Sequence, residues 1–233
     1  PSFYPIKGFT NIGFGWGALT LPITAINIAK VKALGGTWVR IIPIYAMDTR
    51  TTNAVYASNG PGGIGGISHT DAEVVNAIRI AKAHGLRVAL AMGLLWENDP
   101  TAFPSVVNPS DKTAWFASYT TAIEHWAAIC EAEEVDMMSI GQEYSMLSTS
   151  TYSSNWSSVA VAVRALYSGV ITYCTNATDD ASGAFPHVDL LGFDAYWPVA
   201  SVAPQYDAAS MYVAHAPYFE DMEAAATTYS KPY

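Results

Sequence analysis

Val135-Asp136-Met137-Met138-Ser139-Ile140-Gly141-Gln142-Glu143 reads as a short, mostly apolar strand that ends on a carboxylate. An apolar run of this length suits a strand covered on both faces, as in a parallel sheet wrapped by helices. Just upstream, Trp115, Phe116, Tyr119, Ile123, Trp126, Ala127 and Cys130 recur at helical spacing within residues 112–134, behind the capping residue Asp111. Helix followed by buried strand is the repeating step of an α/β fold.

The same alternation continues in both directions. Strands are expected at residues 6–14, 37–44, 86–92, 135–143, 170–174 and 188–194. Helices are expected from Pro22 to the Gly35-Gly36 stop, from the capping box Thr70-Asp71-Ala72-Glu73 to His84-Gly85, and over 112–134, 155–167 and 210–229. The pattern alone allows a barrel or a doubly wound parallel sheet. Six strands in one domain spanning 1–233 leave an eight-stranded (β/α)8 TIM barrel short of strands seven and eight. The chain stops at Lys231-Pro232-Tyr233, which reads as the opening of another strand.

Composition narrows the partners. At 233 residues, with 51% hydrophobic and 12% aromatic residues, the chain can bury a full α/β core. A net charge of -9 disfavours nucleic acid and anionic membrane surfaces and leaves a neutral ligand as the better fit. No apolar run approaches the roughly 20 residues of a membrane helix. The start Pro1-Ser2-Phe3-Tyr4 has no basic region followed by an apolar one, so any signal peptide is expected to be gone already. Cys130 and Cys174 are expected as buried thiols.

No cofactor or metal is expected. The glycines at positions 60, 62, 63, 65 and 66 lie well before the next helix, and no Gly-Lys-Ser/Thr follows, so they read as a rim loop rather than a phosphate cradle. His69 with Asp71, and His187 with Asp189, lack a third ligand at a useful spacing. Ser68-His69-Thr70-Asp71 sits on one loop and cannot adopt triad geometry.

Chemistry concentrates at strand ends. Glu143 is the leading catalytic candidate, since a carboxyl group at a barrel mouth can be tuned to protonate a leaving oxygen. Asp194 ends strand six in the same manner, followed by Tyr196 and Trp197 as an orienting phenol and a sugar platform. Arg40 interrupts an apolar strand and demands a carboxylate partner. Trp16 and Trp96 fall on the expected ligand face as stacking residues, and Asn176 joins them as a substrate-binding candidate.

Four stretches together resemble the clan A glycoside hydrolases, most closely their family 113 β-mannanases. They are Trp115-Phe116-Ala117-Ser118-Tyr119-Thr120, Ser139-Ile140-Gly141-Gln142-Glu143, Tyr167-Ser168-Gly169-Val170-Ile171-Thr172-Tyr173, and Asp189-Leu190-Leu191-Gly192-Phe193-Asp194-Ala195-Tyr196-Trp197-Pro198. The resemblance implies a retaining endo-β-glycosidase acting on a neutral β-1,4-linked oligo- or polysaccharide such as mannan. It makes Glu143 the acid/base, Arg40 the arginine that supports the nucleophile, and Tyr196 a tyrosine near it. The nucleophile would come from the end of strand seven, about 5 Å from the acid.

Three departures accompany it. Gln142, a substrate-binding residue by the resemblance, stands where many of the clan have an Asn that contacts the sugar 2-hydroxyl, Ala91-Met92-Gly93-Leu94-Leu95-Trp96 replaces a Lys-Pro-His type ending, and no strand-seven acid precedes the end at Tyr233. Glu97 could substitute as a base for water only at about 6.5 to 9.5 Å from Glu143. The rival reading is a non-catalytic carbohydrate-binding module, or an assembly module like the similar barrels of phage-tail and gene-transfer proteins. An extracellular or secreted location is expected, as is self-association through the open edges of strands one and six.

Overall fold

The computed structural model describes residues 8–11, 19, 22–58, 67–176, 180–194 and 208–233. Trp16, Tyr196 and Trp197, and the glycine-rich stretch 60–66, lie outside the described residues. In chain order the elements are β1 (Gly8–Asn11), α1 (Pro22–Ala33), β2 (Trp38–Ile41), β3 (Ile44–Met47), α2 (Asp71–Ala83), β4 (Arg87–Ala91) and β5 (Gly93–Trp96). They continue as α3 (Lys112–Ala132), β6 (Met137–Gln142), α4 (Ser153–Leu166), β7 (Val170–Asn176), β8 (Leu190–Asp194) and α5 (Ala208–Tyr229).

Strands β1, β2, β4, β6, β7 and β8 form one parallel sheet in that order. Within this sheet the strands follow one another in chain order, with no reversal of the kind that defines a doubly wound sheet. The architecture is an incomplete (β/α)8 barrel, with six of its strands among the described residues. Among the described residues β1 pairs with β2 alone. On the far edge, Leu191 N–H donates to the Pro232 carbonyl at 2.9 Å, so the tail enters the position beside β8.

Two expected strands are split. Residues 37–44 divide into β2 and β3, and the strand expected at 86–92 ends at Ala91 and resumes as β5. Pro43 has no N–H for the ladder, so β2 stops before it. Gly93 N–H then donates to the Pro43 carbonyl at 2.9 Å, and β3 and β5 pair in parallel as a separate two-stranded ribbon beyond the sheet. A Cβ on Gly93 would meet Ile42 Cγ2 and Ile44 Cδ1 at 2.9 Å, so only glycine lets the ribbon close this tightly.

Alternation along the strands makes two apolar layers. One side packs against the helices, where Trp115, Tyr119, Trp126, Trp156 and Tyr173 are fully buried. The other side faces the barrel bore, and Trp38, Met137 and Leu190 cluster there with Ala89 and Val170 as an apolar floor. Cys130 and Cys174 are both free thiols.

Helix starts follow the sequence closely. The Thr70 Oγ1 accepts from Glu73 N–H while the Glu73 carboxylate accepts from Thr70 N–H at 2.8 Å, a complete capping box. Thr70→Ala is expected to lower unfolding free energy by about 1 kcal/mol, read by urea denaturation. No helix among the described residues is long and apolar enough to cross a membrane.

Candidate active site

Above the apolar floor the bore turns polar. Period-two alternation carries Arg40 on β2, Ser139 on β6 and Thr172 on β7 into it, with Cys174 one step above Thr172 and Asp194 one step above that. On β6 the register shifts between Ser139, opposite Thr172, and Gln142, opposite Cys174. Three residues on β6 therefore match two on β7, which is a bulge. Ser139 Oγ donates to the Gly141 carbonyl at 2.7 Å within it. Without the extra residue Gly141, not Gln142, would face the bore.

Gly141 instead turns toward the helices. A Cβ there would lie 2.6 Å from Tyr173 Cε2 and 2.7 Å from Trp156 Cη2. Gly141→Ala is expected to lower stability by about 1–3 kcal/mol through overpacking. A thermal melt that matches the parent protein would remove this account of the glycine.

Arg40 joins three strands. Its Nη2 donates to Gln142 Oε1 at 2.7 Å, and its Nη1 lies 3.5 Å from Asp194 Oδ1. The Gln142 bond is the tighter contact, and it fixes the amide with its NH2 group pointing away from the guanidinium. Asn176 is the register partner of Asp194 on the neighbouring strand. Arg40, Gln142 and Asp194, all picked from sequence, thus meet in the bore, with Asn176 beside Asp194 in the sheet.

Glu143 follows directly. It is half-buried and holds φ at +53°, a left-handed conformation that a non-glycine residue rarely adopts. Its N–H donates to the Cys174 carbonyl at 2.8 Å, and its own carbonyl accepts from Ser145 N–H at 2.9 Å. Next to it, Tyr144 N–H donates to Tyr173 Oη at 3.1 Å. The Cys174 thiol registers the whole group: burial pushes its pKa up, Arg40 pulls it down, and Asp194 and Glu143 push it up.

The ribbon ends build a separate polar cluster. Glu97 accepts hydrogen bonds from Ser58 Oγ and, at 2.7 Å, from Tyr56 Oη. These hold its pKa below the usual carboxylate value, and an ionised, doubly bonded carboxylate is a weak base for water. The Tyr56 phenol is pushed up to about 12, first by burial and then by Glu97. A raised phenol pKa contributes stability below pH 10 that is lost as pH rises toward 12. The stability difference between the parent protein and Tyr56→Phe should therefore shrink over that window in urea melts.

Trp96 ends β5 and packs against the helix-side core, with its indole N–H buried. Arg50 braces the same region, forking onto Asp99 at 2.6 and 2.7 Å. Among the described residues no group of three His, Cys, Asp or Glu could hold a metal ion. The sequence reading passed over Tyr173, Tyr144 and the Ser139 bulge, whose only sequence trace is an aromatic residue within a strand pattern.

A single-wound parallel barrel with a carboxylate at the C-terminal tip of a strand belongs to the class whose active sites lie at that end. The model of Glycoside Hydrolase Family 113 matches residues 15–224, and the chain belongs to that family. A structure described as a GH113 β-1,4-mannanase superposes with a TM-score of 0.79 at 19% identity, covering 97% of this chain and 69% of that one. The GH113 β-mannanase of Alicyclobacillus acidocaldarius gives 0.77 at 18%, covering 97% and 68%. The endo-β-1,4-mannanase of Thermotoga petrophila gives 0.64 at 12%, covering 97% and 59%. At such identities these likenesses establish the fold. A search of curated proteins finds no match.

Proposed function

We propose that this glycoside hydrolase is a retaining endo-β-1,4-mannanase with Glu143 as its general acid/base. The observation that supports this most is the placement of Glu143 at the C-terminal tip of β6, beside the Arg40, Gln142 and Asp194 cluster of a family 113 barrel. In the first step Glu143 protonates the glycosidic oxygen while a carboxylate attacks the anomeric carbon from the other face. In the second it takes a proton from the water that releases the sugar. The nucleophile would sit about 5 Å from Glu143 on a strand following β8, in the position that Pro232 enters.

The Gln142 NH2 group, oriented by Arg40, offers a donor to a sugar oxygen, and Asn176 and Asp194 flank it. Tyr196, Trp197 and Trp16 complete the proposal as aromatic contacts to the sugar. The passage from β4 to β5 is Ala91-Met92-Gly93, which brings no hydrogen-bonding side chain to that side of the cleft. A polymeric substrate is reached outside the cell, and an extracellular site of action is part of the proposal.

Incubating the natural protein with β-1,4-mannan and following the anomeric protons of the first products by NMR tests it. Cleavage that releases the β-anomer first is expected. Release of the α-anomer would rule out the retaining route, and no cleavage of any β-mannan would rule out the mannanase.

A further inference from the structure

We propose that Tyr173 is a positioning residue for Glu143, acting through the backbone of Tyr144. This rests on the reading of Glu143 as the acid/base.

Glu143 occupies a left-handed backbone position, which an L-residue holds only when its surroundings impose it. Three hydrogen bonds do so. Cys174 O takes the Glu143 N–H at 2.8 Å and Ser145 N–H caps the Glu143 carbonyl at 2.9 Å. The third comes from a side chain: Tyr173 Oη accepts the Tyr144 N–H at 3.1 Å and so fixes the peptide plane that leaves Glu143. Strand β7 thus supplies two of the three, the Cys174 carbonyl and the phenol of its neighbour.

The phenol cannot drift. Its ring meets Trp156 edge-on at 5.0 Å and Phe185 at 6.4 Å, and it closes on Gly141, where there is no side chain to hold it off. Tyr144 is locked from the other side, stacked on Trp156 at 6.3 Å and edge-on to Trp115 and Tyr119 at 5.6 Å. Both ends of the Tyr144 N–H to Tyr173 bond are therefore held by packing. Removing the hydroxyl leaves the rings in place and frees one turn, the turn that aims the carboxyl.

Tyr167 provides a matched control. It is also a fully buried tyrosine, and its Oη donates to the Val135 carbonyl at 2.7 Å, just before the opposite end of β6. Tyr173→Phe and Tyr167→Phe each delete one buried hydroxyl, but only the first touches the Glu143 turn.

The experiment compares both variants in the natural protein by turnover of linear β-1,4-manno-oligosaccharides, amide exchange at Tyr144, and NMR titration of the 13C-labelled Glu143 carboxyl. For Tyr173→Phe, kcat should fall by about 10- to 100-fold with KM within about two-fold, as expected when a reacting group is misplaced. Tyr144 amide exchange should rise about ten-fold, as for a lost hydrogen bond, and the Glu143 titration should move. Tyr167→Phe should lower the melting temperature while leaving kcat and the Glu143 titration unchanged.

Equal effects of the two variants on kcat, or an unmoved Glu143 titration in Tyr173→Phe, would overturn the proposal. If the parent protein cleaves no β-mannan, the mannanase reading falls, and the exchange and titration data still decide whether Tyr173 positions Glu143.

Discussion

Glu143→Gln should lower kcat on β-1,4-mannan by about 10³-fold on the proposed acid/base role, within the range that a positioned proton donor contributes. The substitution keeps the side-chain shape and the three hydrogen bonds of the left-handed turn, which use backbone atoms of residues 143 to 145, the Cys174 carbonyl and the Tyr173 hydroxyl. What it removes is the proton. A sugar leaving group then departs as a strongly basic alkoxide, whereas an aryl group of low pKa needs no protonation. With a dinitrophenyl glycoside the first step should survive and the second, which needs a base for water, should not. A burst of phenol followed by a slow steady state is the expected trace. Azide, which attacks without losing a proton, should restore the second step and yield a glycosyl azide. A variant that keeps more than a tenth of the parent rate on mannan would remove Glu143 from the chemistry.

Arg40→Met should have the largest effect on stability, about 2–4 kcal/mol, because it strips a largely buried carboxylate of its cation and Gln142 of its donor. The Asp194 side chain is only 10% exposed and that of Arg40 19%, so water screens the pair poorly. Asp194→Asn in the same background should recover part of the loss, since a neutral amide tolerates the site without a partner. A double-mutant cycle in urea measures this. Additive single effects would show that Arg40 and Asp194 are not coupled, and that the 2.7 Å bond to Gln142 is the guanidinium's main tie.

The alternation of apolar strand and helix was legible because both periods are written locally, and the caps at Thr70 and Asp111 mark where helices begin. Strand breaks were less so. Ile42 and Ile44 keep the apolar pattern going across Pro43, so the split of β2 from β3 shows only in backbone pairing. Arg40 advertised its need for a carboxylate, but its partners lie 102 and 154 positions away, a distance at which local pattern says nothing. Gln142 was singled out by the resemblance, as the residue standing where many of the clan have Asn, whereas its place in the bore depends on a bulge that no residue type announces. Trp96 was read by its position after a strand, and the packing of its partly buried ring on the core is set by residues far along the chain.

The left-handed backbone at position 143 also bears on how this chain would evolve. Glycine fits such a conformation without steric penalty, and asparagine fits it better than most, while glutamate gives up about 1–2 kcal/mol to stand there. A lineage released from its chemistry would therefore drift toward Gly or Asn at this one site and become more stable, the reverse of the usual decay of an idle protein. On the proposed role of Glu143, thermal tolerance and turnover are set against each other in a single residue.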